Sequence, residues 1–156
     1  MEELINNLVE KYSNMVLQIA YQHSFNKSDS EDITQEVFIK LVRNIDSLKD
    51  DNYIKAWLIR VTINLCKDYN KSYWNRNTSE LDENLKEDSD FCEVMEYVSK
   101  LKPKYRDVIY LYYYLGYKIN EIAEILKMNE NTVSSNLTRA RKELKEILED
   151  GGEIYE

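Results

Sequence analysis

Apolar residues recur along this chain at steps of three and four, the period of helices with one buried face. Residues 2–22 read as a first helix, with Leu4, Leu8, Tyr12, Met15 and Ile19 on one side. Ser28 and Glu31 have the spacing of a capping box. Ile33, Val37, Leu41, Ile45 and Leu48 then form a stripe, which predicts a second helix ending near Ile45. After a polar loop, Asp46 to Asn52, a third helix is predicted from Tyr53 to about Trp74, with Ile54, Leu58, Val61 and Leu65 inward. At 100° per residue, Arg60, Asn64, Lys67, Lys71 and Trp74 fall on a separate stripe about 120° away. That stripe is basic and aromatic.

The period then stops. Asn75 to Glu96 is polar and acidic, the composition of a linker rather than a core. Beyond it Pro103 suits the first turn of a helix from Lys104 to Leu115, with Tyr105, Val108, Ile109, Tyr112 and Leu115 inward and Gly116 as a left-handed stop. A short helix follows from Ile119 to Leu126, then the turn Lys127, Met128, Asn129. Asn129 is placed to cap a last helix reaching about Leu148. Val133, Leu137, Ala140, Leu144 and Ile147 pack inward there, and Thr132, Ser135, Asn136, Arg139 and Lys142 face away. The expected fold is all-α: two small helical domains joined by a flexible acidic linker, the second containing a helix-turn-helix. The expected divisions are 1–76, 77–96, 97–149 and an acidic tail at 150–156.

Composition narrows the class. With 3 Gly and 1 Pro in 156 residues, the turns that a sandwich or barrel requires are nearly missing. The longest apolar run, Val108 to Leu115, is far short of the roughly 18 residues that span a bilayer, so no stable membrane insertion is expected and the location expected is cytoplasmic. Cys66, Cys92 and the single histidine, His23, supply neither a disulfide framework nor the usual zinc set, so neither metal nor cofactor is expected. No fused sensor domain is expected after residue 156.

The formal net charge of -8 suggests a poor partner for nucleic acid until it is read by segment. From Ser79 to Glu96 eight acids face Lys86 alone, and the last eight residues add four more acids without a base. Residues 97–148, in contrast, carry a net charge of +4. The acidity sits in the linker and the tail, and the helix-turn-helix is basic. A helix fits the major groove, Asn and Arg can pair with base edges, and Lys or Arg can meet phosphates, so the pair of helices points to DNA.

Three separated motifs carry a resemblance to a known family. The run Ser30-Glu-Asp-Ile-Thr-Gln-Glu-Val-Phe-Ile-Lys40 comes first, Ala56-Trp-Leu-Ile-Arg-Val-Thr-Ile-Asn-Leu-Cys-Lys-Asp-Tyr69 second. Leu101-Lys-Pro-Lys-Tyr-Arg-Asp through Asn129-Glu-Asn-Thr-Val-Ser-Ser-Asn-Leu-Thr-Arg-Ala-Arg-Lys-Glu-Leu144 comes third. In this order they resemble the sigma-70 family of bacterial RNA polymerase promoter-specificity subunits, in its extracytoplasmic-function group, over about residues 5–148. The resemblance implies a non-catalytic subunit whose partners are core RNA polymerase, promoter DNA and an anti-sigma factor. It places Asp32, Gln35 and Glu36 of the second helix on the clamp of the polymerase largest subunit. It places Lys49, Asn52, Arg60, Asn64, Lys67 and Lys71 at the minus-ten element, where an extruded base is read on its pairing edge. Thr132, Ser134, Ser135, Asn136, Arg139 and Lys142 fall at the minus-thirty-five element. Trp57 is expected in the core.

The linker acids from Glu80 to Asp90 fit a flexible spacer, or else a polyanion following the path of RNA through the polymerase. The chain departs from the family pattern at four places. Lys127 stands where the turn commonly has Gly, Lys118 where a capping Ser is common, and Ser134 and Asn136 where basic residues are frequent. Two other classes are open to the residues themselves: a stand-alone helix-turn-helix regulator, which would need nothing from residues 30–43, and a nucleic-acid enzyme, which would need a set of acids or an activated nucleophile that the pattern does not offer.

Overall fold

The structure, a computed structural model, describes residues 2–24, 26–48, 50–73 and 96–150, with side chains to 68 in the third of these spans and to 149 in the last. The chain divides into two units, Met1–Leu85 and Lys86–Glu156. Lys49, Trp74, Cys92, the tail beyond Asp150 and nearly all of the expected linker lie outside the described residues. Every described regular element is helical.

The first unit holds α1 (Glu2–Ser24), α2 (Lys27–Asn44), a 3₁₀ turn (Ile45–Ser47) and α3 (Asp51–Tyr73). Each of the three helices packs on the other two. Leu8, Tyr12, Met15 and Ile19 of α1 and Ile33, Val37 and Leu41 of α2 are buried as their spacing predicts. Leu4 is not: it is 47% exposed, and burial along α1 begins only at Leu8. The cap of α2 is Asn26 rather than Ser28, its side chain accepting from Asp29 N at 3.0 Å. Ser28 lies exposed inside the first turn.

The loop before α3 is shorter than expected. Asp50 caps the helix, Oδ1 accepting from Tyr53 N at 2.8 Å, so Asp51 and Asn52 already belong to its first turn. The buried face of α3 is Ile54, Leu58, Ile59, Thr62, Ile63 and Cys66, an arc about 180° wide by the 100° step. Val61 and Leu65 sit at its margin, half-buried. An arc this broad follows from packing on two neighbours at once, whereas a single stripe supposes one.

The second unit holds a helical turn at 96–98, α4 (Pro103–Ile109), a π-helical turn (Tyr110–Tyr114), α5 (Ile119–Leu126) and α6 (Glu130–Asp150), with α4 and α5 both packed on α6. Pro103 occupies the first turn of α4, where its missing N–H costs no bond. The π turn is closed by Leu115 N donating to Tyr110 O at 3.0 Å. A wider turn shifts the helical phase, so Tyr110 and Leu111 are buried while Tyr112 and Leu115, expected inward, are half-buried. Gly116 then takes φ +77°, and Tyr117 N donates to Leu111 O at 2.9 Å, the left-handed stop that its position suggested. Burial raises the hydroxyl pKa of Tyr110 above its usual value.

Lys127 ends α5 in the left-handed region at φ 56°, where a Cβ crowds the carbonyl. Relief of that strain exceeds the entropy glycine adds to the unfolded chain. Lys127→Gly should therefore stabilise the second unit by about 1 kcal/mol, measured as a shift in its urea midpoint; a fall in the midpoint would show that Lys127 makes compensating contacts.

Candidate nucleic-acid interface

The last helix of the second unit, α6, starts as the sequence suggests. Asn129 Oδ1 accepts from Thr132 N at 3.1 Å, and Val133, Leu137 and Ala140 bury one face of α6 against α4 and α5. Thr132, Ser134, Ser135, Arg139 and Lys142 are exposed. Asn136 is the exception. It was expected to face away, yet it is 5% exposed, because it lies about 60° from Val133 and about 40° from Ala140 around the helix, inside the arc that the neighbouring helices cover. It is therefore part of the interior of this unit, unlike the other residues expected on the outer face of the helix.

Arg141, exposed on α6, is held in place. Its Nε donates to the Tyr113 hydroxyl, and its guanidinium lies 5.5 Å from the ring centroids of both Tyr112 and Tyr113. At the start of α5, Lys118 N donates to Glu121 Oε1 at 2.9 Å, so this helix is capped from its own first turn without a capping Ser. Burial, and then the charge of Glu121, raises the Tyr117 hydroxyl pKa.

In the first unit α3 carries the basic stripe on the side turned away from its neighbours. Asn64 and Lys67 are exposed and Arg60 is half-buried; the Lys71 side chain lies outside the described residues. Trp57 is half-buried, so it is neither a fully enclosed core residue nor a free surface one. Asn52 and Tyr53 stand exposed in the first turn of the same helix, Tyr53 at 51%. Next to them Asp51 Oδ2 accepts from Lys11 Nζ at 2.7 Å and from the Tyr12 hydroxyl at 2.7 Å. The Lys11 bond, then the Tyr12 bond, holds this carboxyl below its ordinary pKa of 3.8. The sign is that of a stabilised anion: the contacts are at full strength above 3.8 and are lost as pH falls through the lowered value.

Asp32, Gln35 and Glu36 are exposed on α2, and a shallow cleft runs along each side of that ridge. One, of about 280 Å³, is lined by Asp32, Ile33 and Glu36 with Leu65 and Asp68 of α3. The other, of about 360 Å³, is lined by Glu31, Thr34 and Gln35 with Ser13, Asn14 and Leu17 of α1. The ridge continues into Ile39, 51% exposed, with Val42 beside it at 46%. Their departure from the 33, 37, 41 stripe was a signal that the sequence offered and that the spacing argument passed over. Among the described residues no three His, Cys, Asp or Glu side chains converge as metal ligands, and no helix is long and apolar enough to cross a membrane.

Two family models match this arrangement in order. Sigma-70 region 2 matches residues 8–76, the three-helix unit, and Sigma-70, region 4 matches residues 93–144, the helix-turn-helix unit. The chain belongs to the sigma-70 family. Its curated relatives place it in the extracytoplasmic-function (ECF) group. The ECF RNA polymerase sigma factor SigW of Bacillus subtilis (strain 168) is 29% identical over 170 residues, spanning 96% of this chain and 91% of the relative. The ECF RNA polymerase sigma factor SigM of the same strain is 27% identical over 158 residues, spanning 94% and 96%. Among solved structures, CnrH in complex with the cytosolic domain of CnrY has 22% identity and a TM-score of 0.75, covering 96% of this chain and 90% of that one. RpoE in complex with the anti-sigma factor NepR, from Bartonella quintana, has 18% identity and a TM-score of 0.76, covering 96% and 98%. At these identities the two structures speak for the fold. As an ECF sigma factor the protein is a promoter-recognition subunit of RNA polymerase.

Proposed function

We propose that this sigma factor divides its work among three surfaces. The α2 ridge of Asp32, Gln35 and Glu36 docks on the clamp of core polymerase. The first turn and basic stripe of α3, together with Lys49, engage the minus-ten element: Asn52 and Asn64 read bases, and Arg60, Lys67 and Lys71 neutralise backbone. The exposed face of α6, with Thr132, Ser134, Ser135, Arg139 and Lys142, enters the major groove of the minus-thirty-five element. The observation that carries this reading lies in the first unit. Its acidic, amide-bearing ridge on α2 and the basic stripe on α3 are separate surfaces of one three-helix body, so protein and DNA can be held together.

The protein contributes contacts and no covalent chemistry, acts in the cytoplasm where the template is, and is held inactive by an anti-sigma protein, as the complexes of CnrH and RpoE are consistent with. The divisions 1–76, 77–96 and 97–149 describe this labour, the acidic segment serving as a tether.

The direct experiment is to mix the protein with bacterial core RNA polymerase and sheared genomic DNA and to map the transcripts. Defined start sites that depend on both components are expected. Tight binding to duplex DNA without any gain from core would instead favour a stand-alone regulator. Arg139→Ala should cut transcription about tenfold from promoters that need the upstream element, with much less effect where that element is replaced. An equal loss on both templates would remove Arg139 from base readout.

A further inference from the structure

The first turn of α3 needs two kinds of restraint if it is to read a base. A helix N-terminus carries amides without partners and frays readily, and Asp50 answers that need by accepting from Tyr53 N at 2.8 Å while Ile54 N bonds to Asp50 O at 2.9 Å. These bonds are internal to the turn. They do not fix where the turn stands against the rest of the unit.

That second restraint passes through Asp51. Its Oδ2 receives the Tyr12 hydroxyl and the Lys11 ammonium, each at 2.7 Å, from a helix some forty positions earlier in the chain. The two donors are not equivalent. Lys11 and Asp51 have side-chain exposures of 57% and 50%, and an exposed pair on a long, flexible stem contributes little. Tyr12 is 4% exposed, so its ring is fixed in the core and its hydroxyl projects from a rigid base. A phenylalanine would bury the same ring. The hydroxyl is therefore the part of this side chain that packing does not explain, and a hydroxyl donating to an ionised carboxylate is among the stronger hydrogen bonds.

We infer that Tyr12 is a positioning residue for promoter recognition: through Asp51 it holds the first turn of α3 so that Asn52, the next residue, meets the pairing edge of the extruded minus-ten base. Tyr53, exposed in the same turn, is set in place by the same bond. The inference rests on the assignment of Asn52 to the minus-ten element under Proposed function. Its physical basis is that discrimination between bases depends on donor and acceptor placement to within a fraction of an ångström, whereas overall attraction to the strand does not.

The test uses the full-length protein with core polymerase. Transcription from a promoter mapped as above is compared with that from templates carrying single substitutions across the minus-ten element, for the parent, Tyr12→Phe, Asp51→Asn, the double variant, Lys11→Met and Asn52→Ala. Tyr12→Phe and Asp51→Asn should each lower the ratio of parent to substituted template about five- to tenfold. The double variant should be no worse than the more damaging single one, because the charged Tyr12–Asp51 bond is lost or weakened in all three cases. Lys11→Met should change the ratio less than about twofold. Affinity for core should stay at the parent value throughout. A fall in yield that is uniform over all templates, with the ratio kept, would mean that Tyr12 and Asp51 serve stability alone, and the inference would be wrong. If Asn52→Ala also leaves the ratio untouched, the base-reading assignment of the turn fails with it; if Asn52→Ala lowers the ratio while Tyr12→Phe does not, the positioning role alone fails.

Discussion

Leu58→Ala should lower the stability of the first unit by about 3–4 kcal/mol. Leu58 is fully enclosed at 0% exposure on α3, where that helix meets both α1 and α2. Removing three carbons there forfeits their transfer free energy and leaves a cavity that three mutually packed helices cannot close. The loss is a large fraction of what a small domain has in reserve. Trp57 and Trp74 are the two tryptophans of the chain, and both fall within Met1–Leu85, so tryptophan emission in urea follows this unit. Leu4→Ala, at a residue 47% exposed, supplies the contrast and should change stability by less than about 0.5 kcal/mol. Equal effects of the two substitutions would show that the buried face of the bundle has been misplaced.

Replacing Gln35 and Glu36 together by Ala should weaken binding to core polymerase by about 2 kcal/mol, roughly thirtyfold, without unfolding the protein. Both side chains are exposed on α2, so the isolated protein loses almost nothing with them. If α2 docks on core polymerase as proposed, the same groups lie in a desolvated polar contact, and truncation there leaves the partner's donors unpaired. The clefts on either side of the ridge give an approaching helix pair somewhere to seat its own side chains. Binding of the variant to purified core, with its thermal midpoint recorded alongside, separates the two effects. Unchanged affinity would take α2 out of the interface and leave the exposed Ile39 and Val42 without a role.

Helix existence and order were legible because a helix is a local object. Its period is written in nearest neighbours, and so Leu8, Tyr12 and Ile19, or Val133, Leu137 and Ala140, announced their elements directly. Signals contained in one turn were legible for the same reason: Asn129 as a cap, Pro103 as a helix start and Gly116 as a left-handed stop. The basic stripe of α3 and the outer face of α6 were found as the complement of those stripes, whereas Asp32, Gln35 and Glu36 of α2 came only from the family resemblance.

What tertiary structure decided was the width of each buried arc and the company of each polar group. One-stripe reasoning put Val61 and Leu65 inside and Asn136 outside. Contact with two neighbours turned the covered arc of α3 toward Ile59 and Ile63 and drew Asn136 into the interior of the second unit. The π turn moved Tyr112 outward by a change of phase that no periodicity count anticipates. The bond from Tyr12 to Asp51 joins residues with no local relation. Sequence alone determined the helices and, through three motifs in order, the family; which polar side chains are held, and by what, depends on contacts between helices distant in the chain, and a local pattern carries no record of them.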